Sequence, residues 1–116
     1  MQRMLILVMA LVVASCGSEP GTCIYTTANK THSCIQYTSG NKTDFLHACK
    51  QVLALNRSKY PDMTMIVGKS CPVSATVTCR DFLDQTADLN LYNLSSGEIE
   101  IQRRVCERTK GSFVEH

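Results

Sequence analysis

Residues 22–38, TCIYTTANKTHSCIQYT, decide the fold that the sequence predicts. Two runs within this stretch, 23–27 and 33–38, are rich in β-branched and aromatic residues, and the more polar residues 28–32 lie between them. Such a pattern is typical of two antiparallel strands joined by a loop of about five residues. The stretch therefore predicts a β-hairpin at the start of the folded domain.

A helix is predicted directly after this hairpin. Phe45, Cys49 and Val52 recur at the spacing of one helix face. Thr43, which an acidic residue follows, is typical of an N-cap. We therefore expect a helix over residues 43–55.

The same order of elements is predicted again in the second half of the chain. Residues 75–82 and 89–94 have the composition of a second pair of strands. Ser95 and Glu98 match a capping box, in which each side chain bonds the backbone of the other residue at the start of a helix. We expect a helix over residues 98–105, although its first residues also alternate apolar and polar as a strand does.

The two halves align in a way that indicates a duplication. Three residues of the first half have counterparts in the second, namely Cys23 with Cys79, Tyr37 with Tyr92 and Cys49 with Cys106. A repeat of this length indicates a supersecondary unit that is too small to bury its sheet face alone. The expected fold class is α+β, with two ββα units forming one small disulfide-stabilised domain over residues 22–116. The modules are expected at 22–56 and 71–116, with a connector at 57–70 in which residues 63–67 have the composition of a short strand.

The N-terminal segment has the features of an export signal. Arg3 precedes an unbroken apolar run over residues 5–13. This run is shorter than the roughly 20 residues that cross a bilayer, and a short apolar run after a positive charge is typical of a secretory signal. We expect residues 1–15 to be a signal peptide.

The end of that signal resembles the bacterial lipobox. Val13-Ala14-Ser15-Cys16 has an aliphatic residue, two small residues and then the cysteine whose thiol receives a diacylglycerol in that motif. Several acyl chains on one N-terminus attach a protein stably to a bilayer. We expect lipid on Cys16 and a lipidated tether over residues 16–21. Gly17, which stands where an inner-membrane retention signal has Asp, favours the outer membrane within the cell envelope.

The cysteine count supports both an anchor and a covalent framework. The chain has seven cysteines, and an exported protein seldom keeps an odd thiol free. Assigning Cys16 to the lipid leaves an even set, for which an oxidising compartment favours disulfides over a zinc site. The cysteines expected in disulfides are Cys23, Cys34, Cys49, Cys71, Cys79 and Cys106.

The mature chain contains a series of short cysteine motifs and a final Gly-aromatic turn: Cys34-Ile35-Gln36-Tyr37, Cys49, Cys71-Pro72, Cys79, Cys106 and Gly111-Ser112-Phe113. In these residues it resembles small Cys-rich bacterial lipoproteins of uncharacterised function. The resemblance implies a lipid anchor and a duplicated architecture, but it implies no activity.

Two disulfide pairings are consistent with the sequence. If the modules are equivalent, Cys23 pairs with Cys49 and Cys79 with Cys106, and the two cysteines without counterparts, Cys34 and Cys71, bridge the connector. A hairpin bond between Cys23 and Cys34, with a bond between Cys49 and Cys71, is nearly as reasonable. Six cysteines allow about 15 connectivities, and their order in the chain does not choose among them.

Charge and motifs argue against several classes of function. With 12 basic and 10 acidic side chains the chain lacks the strongly basic character of a nucleic-acid-binding domain. The spacings of known zinc sites are absent. His47 and Asp44 form the nearest acid–histidine pair, which is typical of a helix surface. Tyr25, Tyr37 and Tyr92 could form a ligand surface on a sheet, although packing is their more common role.

The sequence therefore predicts a non-enzymatic lipoprotein with no catalytic, cofactor-binding or metal-binding residues. Its expected partners are the membrane, through the lipid, and a protein or small ligand, but no nucleic acid. The alternative is a soluble secreted inhibitor or effector that carries glycans. Four Asn-x-Ser/Thr motifs support that alternative, at Asn29, Asn41, Asn56 and Asn93.

Overall fold

The computed structural model describes residues 21–38, 41–82 and 87–116. The elements in these ranges are β1 (Gly21–Thr27), β2 (Lys30–Tyr37), α1 (Lys42–Asn56), β3 (Thr64–Gly68), β4 (Val77–Arg80), β5 (Ala87–Leu91), α2 (Ser96–Arg108) and β6 (Ser112–Glu115). All of these strands belong to one six-stranded antiparallel sheet with the order β3-β1-β2-β5-β4-β6. The architecture is mostly sheet, with two helices.

The predicted α+β fold class, with two ββα units, is wrong. Strand β3 lies in the segment 57–70 that was expected to be a connector, and it pairs with β1. Strand β6 pairs with β4 in the same way at the other edge, and β2 pairs with β5 at the centre. A two-stranded hairpin is marginally stable on its own in water. The additional strands and the central pairing instead make one continuous sheet.

The turn between β1 and β2 is shorter than the sequence pattern predicts. Ala28 and Asn29 alone connect the strands, with φ angles of 47° and 65°. Two successive residues with positive φ are typical of a type I′ turn, whose twist matches that of the strands it joins. Residues 30–32, which were expected in a loop of about five residues, therefore belong to β2.

Both predicted helices are present, and their first turns have defined caps. Asn41 is the N-cap of α1, because its Oδ1 accepts a hydrogen bond of 2.8 Å from the Asp44 amide. The predicted N-cap, Thr43, lies inside the helix. In α2 the capping box is confirmed, since Ser95 Oγ accepts from the Glu98 amide at 3.3 Å and the Ser95 amide donates to Glu98 Oε1 at 2.9 Å. These hydrogen bonds lower the pKa of Glu98.

The main core lies between α1 and the sheet. It is formed by Cys23, Tyr25, Ile35, Phe45, Cys49, Met63 and Ala87. Tyr25 is fully buried, and its hydroxyl donates a hydrogen bond of 2.9 Å to the carbonyl oxygen of Cys49. Burial raises the pKa of this phenol far above its ordinary value. The hydrogen bond therefore joins the sheet to the helix in a region that excludes water.

The prediction of three disulfides is confirmed. They join Cys23 to Cys49, Cys34 to Cys71 and Cys79 to Cys106, with Cα–Cα distances of 6.1, 5.8 and 5.7 Å. Two of them tie a helix to the first strand of its half, and both helices therefore lie on one face of the sheet. Cys16, which was expected to carry lipid, lies outside the described residues.

Candidate functional site

The face of the sheet opposite the helices carries polar side chains across its three central strands. Because side chains alternate along a strand, the residues between the buried apolar ones point to this open face. Gln36 of β2 lies beside Asp88 of β5, and Asn90 of β5 lies beside Thr78 of β4. With Arg80 at the end of β4, these residues form the floor of a groove.

The loop between β3 and β4 forms one wall of this groove. Cys71 in the loop is bonded to Cys34 of β2, and Asn90 Nδ2 donates to Cys71 Sγ at 3.4 Å. The Tyr92 hydroxyl donates a hydrogen bond of 2.6 Å to the Pro72 carbonyl oxygen. A covalent bond and two hydrogen bonds therefore hold the loop against the open face.

The tip of this loop presents an apolar side chain to solvent. Val73 is 88 % exposed, and the next residue, Ser74, has a φ of 73°. A single exposed valine is ordinary on a protein surface. Val73 differs in its setting, because its loop is held by a disulfide beside a set of hydrogen-bonding groups. The valine and the polar floor therefore form one continuous surface.

A chain of hydrogen bonds runs along the groove floor. Thr78 Oγ1 lies 2.6 Å from Asn90 Oδ1 and 2.7 Å from His116 Nε2. A hydroxyl has a single proton to donate, and the Asn90 carbonyl oxygen can only accept. Thr78 therefore donates to Asn90, and His116 Nε2 donates to Thr78. With Asn90 Nδ2 bonded to Cys71, both polar atoms of the Asn90 side chain have partners.

These hydrogen bonds between His116, Thr78 and Asn90 are not arranged for nucleophilic catalysis. A histidine base has to accept the proton of the nucleophile, whereas His116 donates to Thr78. The Thr78 side chain is also buried. In residues 21–38, 41–82 and 87–116, no group of three or more His, Cys, Asp or Glu side chains is placed to hold a metal ion. Nothing in these ranges positively indicates catalysis.

The composition of the groove suits a polar ligand without net charge. The groove has a volume of about 480 Å³, and one basic and one acidic side chain, Arg80 and Asp88, line it. No Phe, Tyr or Trp is among the described residues that line it. The side-chain amide of Gln36, which lines the groove, provides both a donor and an acceptor. Such a set complements the alternating N–H and C=O groups of a peptide backbone.

Of the predicted site residues, the structure brings Cys34 and Cys71 to this groove. The six cysteines outside the signal all form disulfides, and the bond between Cys34 and Cys71 builds the groove wall. The other two disulfides lie on the opposite face, under the helices.

The predicted tyrosine surface does not form. Tyr25 and Tyr92 are buried, and the Tyr37 ring packs edge-on against Phe45 with 5.3 Å between ring centroids. Burial raises the pKa of all three phenols. These tyrosines stabilise the interior and the loop, and they are not ligand contacts.

The acid–histidine pair of α1 is not a site. Asp44 and His47 are both exposed on the helix surface. Asp44 Oδ2 accepts a hydrogen bond of 2.8 Å from Asn41 Nδ2, so the carboxylate is part of the helix cap. This geometry matches the expectation of a helix surface pair.

Three of the four asparagines in Asn-x-Ser/Thr motifs make hydrogen bonds through the nitrogen that a glycan would modify. Their acceptors are the side chain or backbone oxygens of nearby residues: Asp44 for Asn41, Val52 for Asn56 and Thr31 for Asn93. These amides contribute to helix ends and turns. Asn29 lies exposed in the β1–β2 turn.

Sequence reasoning missed the residues of the groove floor. Gln36, Thr78, Asn90 and His116 come from four strands or strand ends that are distant in the chain. The signal that could have found three of them is strand alternation, because polar Thr78 lies between the buried residues Val77 and Cys79. The pairing of β4 with β5, which brings the polar residues together, is not visible in the sequence.

No helix in the described residues is both long and apolar enough to span a membrane. Three disulfides are typical of a protein that is secreted or extracellular, because they persist in oxidising compartments. No protein-family model, curated protein sequence or solved structure matches the chain. The function of the protein is therefore inferred from the geometry of the groove and from the sequence.

Proposed function

We propose that this protein is a non-enzymatic, lipid-anchored binding module of the bacterial cell envelope, which binds an extended polypeptide segment in the groove of its open face. The observation that carries the proposal is the groove wall, a loop that a disulfide and the Tyr92 hydroxyl hold over a polar floor. A surface that is ordered before binding loses less conformational entropy when a ligand arrives. Preorganisation of this kind favours a binding role.

The chemistry of the groove favours a peptide over a sugar or a nucleic acid. Gln36 presents a side-chain amide, which pairs with the N–H and C=O of a backbone. Exposed Val73 beside it offers an apolar contact for a ligand side chain. Among the described residues, the lining has no Phe, Tyr or Trp ring, and its one Arg is matched by one Asp, so it has no excess of positive charge.

The anchor in this proposal comes from the sequence. Val13-Ala14-Ser15-Cys16 resembles a lipobox, and lipid on Cys16 leaves an even number of cysteines. All six of those cysteines form disulfides. An odd cysteine without a disulfide partner in the domain is what lipidation explains.

The alternative is a soluble secreted inhibitor or effector. The disulfides are equally consistent with it. The Asn-x-Ser/Thr motif at Asn29, exposed in a turn, is the observation that favours it. This alternative would use the same groove without the lipid.

The anchor is tested by intact mass and by membrane fractionation. We expect a mature chain that begins at Cys16 with the mass of a diacylglyceryl or triacyl group, and six alkylated thiols only after reduction. Cys16→Ser should leave the membrane fraction, whereas the tether variant Ser18→Ala should remain there. An unlipidated chain, or hexose-sized heterogeneity, would replace the anchor with the secreted alternative.

The groove is tested by amide chemical-shift mapping with a blocked alanine-rich hexapeptide as the probe and chitotriose as the comparison. We expect the hexapeptide to shift the signals of Gln36, Val73 and Thr78. A Gln36→Ala/Val73→Ser variant should bind about tenfold more weakly, which corresponds to about 1.4 kcal/mol. Thr64→Ala, an exposed threonine of the same face outside the groove, should bind like the unmodified chain. No shift with the hexapeptide, or shifts with chitotriose alone, would reject the peptide proposal.

A further inference from the structure

Strand β3 is an edge of the sheet with exposed apolar side chains on both of its faces. Ile66 is 60 % exposed on the open face, and Val67 is 46 % exposed on the helix face, where it lies beside Cys23. The strand, TMIVG, contains no charged residue and no proline, and it pairs with β1 without a register shift. Charges, prolines and bulges are the usual devices that protect an edge strand from other chains. In β3 none of these devices is present.

The opposite edge of the same sheet is protected. Strand β6 ends at Glu115, whose Oε1 lies 2.9 Å from Nη2 of Arg103 on α2. The Arg103 guanidinium also lies 4.9 Å from the centre of the Phe113 ring. A charged network therefore covers the one aromatic side chain of β6. The contrast identifies β3 as the edge that is available for pairing.

We infer that β3 is a self-association surface, at which β3 of a second copy of this chain pairs antiparallel and joins two sheets into one. If Ile66 faces the second copy's Ile66, then Met65 faces the second copy's Val67 and Thr64 faces the second copy's Gly68. Apolar side chains meet on both faces in this register. The helices of both copies lie on one side of the joined sheet, because side chains of paired residues point to the same face.

The charges that flank β3 select this antiparallel arrangement. Exposed Asp62 precedes the strand and exposed Lys69 follows it. In an antiparallel pairing centred on Ile66, Asp62 lies within one position of the residue opposite the second copy's Lys69 at both ends, and opposite charges this close attract. Parallel pairing would place each charge beside its own equivalent. A second copy in antiparallel orientation therefore satisfies both ends at once.

The joined sheet leaves the groove open. The groove lies over β2, β4 and β5, whereas the new pairing occurs at β3. Both grooves face the same side of the joined sheet, away from the helices. A pairing of five residues buries little surface, so the dimer is a weak one. If the dimer does not form, peptide binding in the groove is unaffected. If the groove binds no peptide, pairing at β3 is likewise unaffected.

The inference is tested by sedimentation of the exported full chain with Cys16→Ser, in which no lipid drives association, from roughly 10 µM to 1 mM. We expect a monomer–dimer equilibrium together with slower amide hydrogen exchange in Thr64–Gly68 as the concentration rises. Ile66→Lys should weaken association at least tenfold, and Ser112→Lys on the opposite edge should leave it unchanged. A monomer at all concentrations, or association that only Ser112→Lys removes, would overturn the inference.

A charge exchange tests the antiparallel orientation independently of the apolar contact. Asp62→Lys should weaken association severalfold because it places Lys beside Lys. Combining it with Lys69→Glu restores opposite charges at both ends, and association should return to that of the unmodified edge. If the double variant is as weak as the single variant, the antiparallel orientation is wrong. Unchanged thermal midpoints show that these exposed substitutions leave the fold intact.

Discussion

The two halves of the sheet follow the same path but are stabilised in different ways. In each half a hairpin leads to a helix and then to a strand that pairs on the outer side of the first strand. The first half buries Tyr25, Phe45 and Met63 between α1 and the sheet. The second half buries smaller side chains between α2 and the sheet, and the ion pair between Arg103 and Glu115 joins its outer strand to α2. The same connectivity therefore does not imply the same distribution of stability.

Removing either of the two equivalent disulfides is expected to have the largest effect on stability. Comparing the two losses separates restriction of the unfolded chain from packing around each bond. The bonds Cys23–Cys49 and Cys79–Cys106 span 26 and 27 residues, so restriction of the unfolded chain is nearly the same for both. We expect each double Cys→Ala variant to lose about 3 kcal/mol for this reason. The first should lose about 1 kcal/mol more, because it leaves space among the large buried side chains of the main core.

Urea denaturation of both variants measures this difference. Because the entropic contributions cancel in the comparison, equal losses in the two variants would show that the halves are packed equally well. A larger loss in the second half would reverse the comparison.

Gly111, which follows α2, lies in a tightly packed part of the second half. A Cβ atom placed there would lie 2.6 Å from Cys79 Sγ and 2.8 Å from the Arg80 carbonyl oxygen. We expect Gly111→Ala to destabilise the protein by about 2 kcal/mol, as overpacking usually does. Gly97 in α2 has no atom within 4 Å of such a Cβ, so Gly97→Ala should stabilise the helix by up to about 1 kcal/mol. Thermal unfolding of the two variants should therefore shift in opposite directions.

The elements of the fold could be predicted from local sequence, but their pairing could not. The helices, the capping box at Ser95 and the first hairpin follow from spacing and residue type over short windows. The pairing of β3 with β1 is a contact between distant segments, and the residues of β3 do not indicate which strand it pairs with. The two-residue turn was also missed, because Thr31 and His32 are polar yet belong to β2.

The candidate site was out of reach for the same reason. Its floor combines Gln36 with residues that follow it by more than forty positions, and only the order of the strands brings them together. Cysteine composition predicted that disulfides would form. The function of one of them, to fix the loop beside Val73, depends on which face of the sheet it occupies.

Removing each of two tyrosine hydroxyls distinguishes a contribution to core stability in the first half from a contribution to the groove loop. Tyr25 donates to the Cys49 carbonyl oxygen, and Tyr92 donates to the Pro72 carbonyl oxygen. Tyr25→Phe should cost about 1 kcal/mol of unfolding free energy, because it removes a buried hydrogen bond between the sheet and the helix. Tyr92→Phe should cost less stability and instead weaken peptide binding, since it loosens the groove wall. Denaturation and the hexapeptide titration distinguish the two outcomes.

The smallest effect is expected where the two halves meet, at His32. Its ring lies 4.7 Å from that of Tyr60, centre to centre. Burial lowers the pKa of His32 and the Lys59 cation lowers it further, while Glu98 of α2 opposes the change. The folded protein therefore binds a proton here less readily than the unfolded chain does. The stability that the neutral ring provides is fully present above pH 6.5 and is lost as the pH falls through the lower pKa of the folded state.

A variant without the titrating ring isolates this contribution from that of the carboxylates. His32→Phe keeps an aromatic ring against Tyr60, so its unfolding free energy should fall less between pH 7.5 and pH 5 than that of the unmodified protein. His47→Gln, at an exposed position of α1, should leave the pH dependence unchanged. If His32→Phe is as sensitive to acid as the unmodified protein, proton binding at the junction of the halves does not affect folding. The acid response would then have to arise within one half. Urea midpoints of the two disulfide variants, measured at both pH values, would show which half it is.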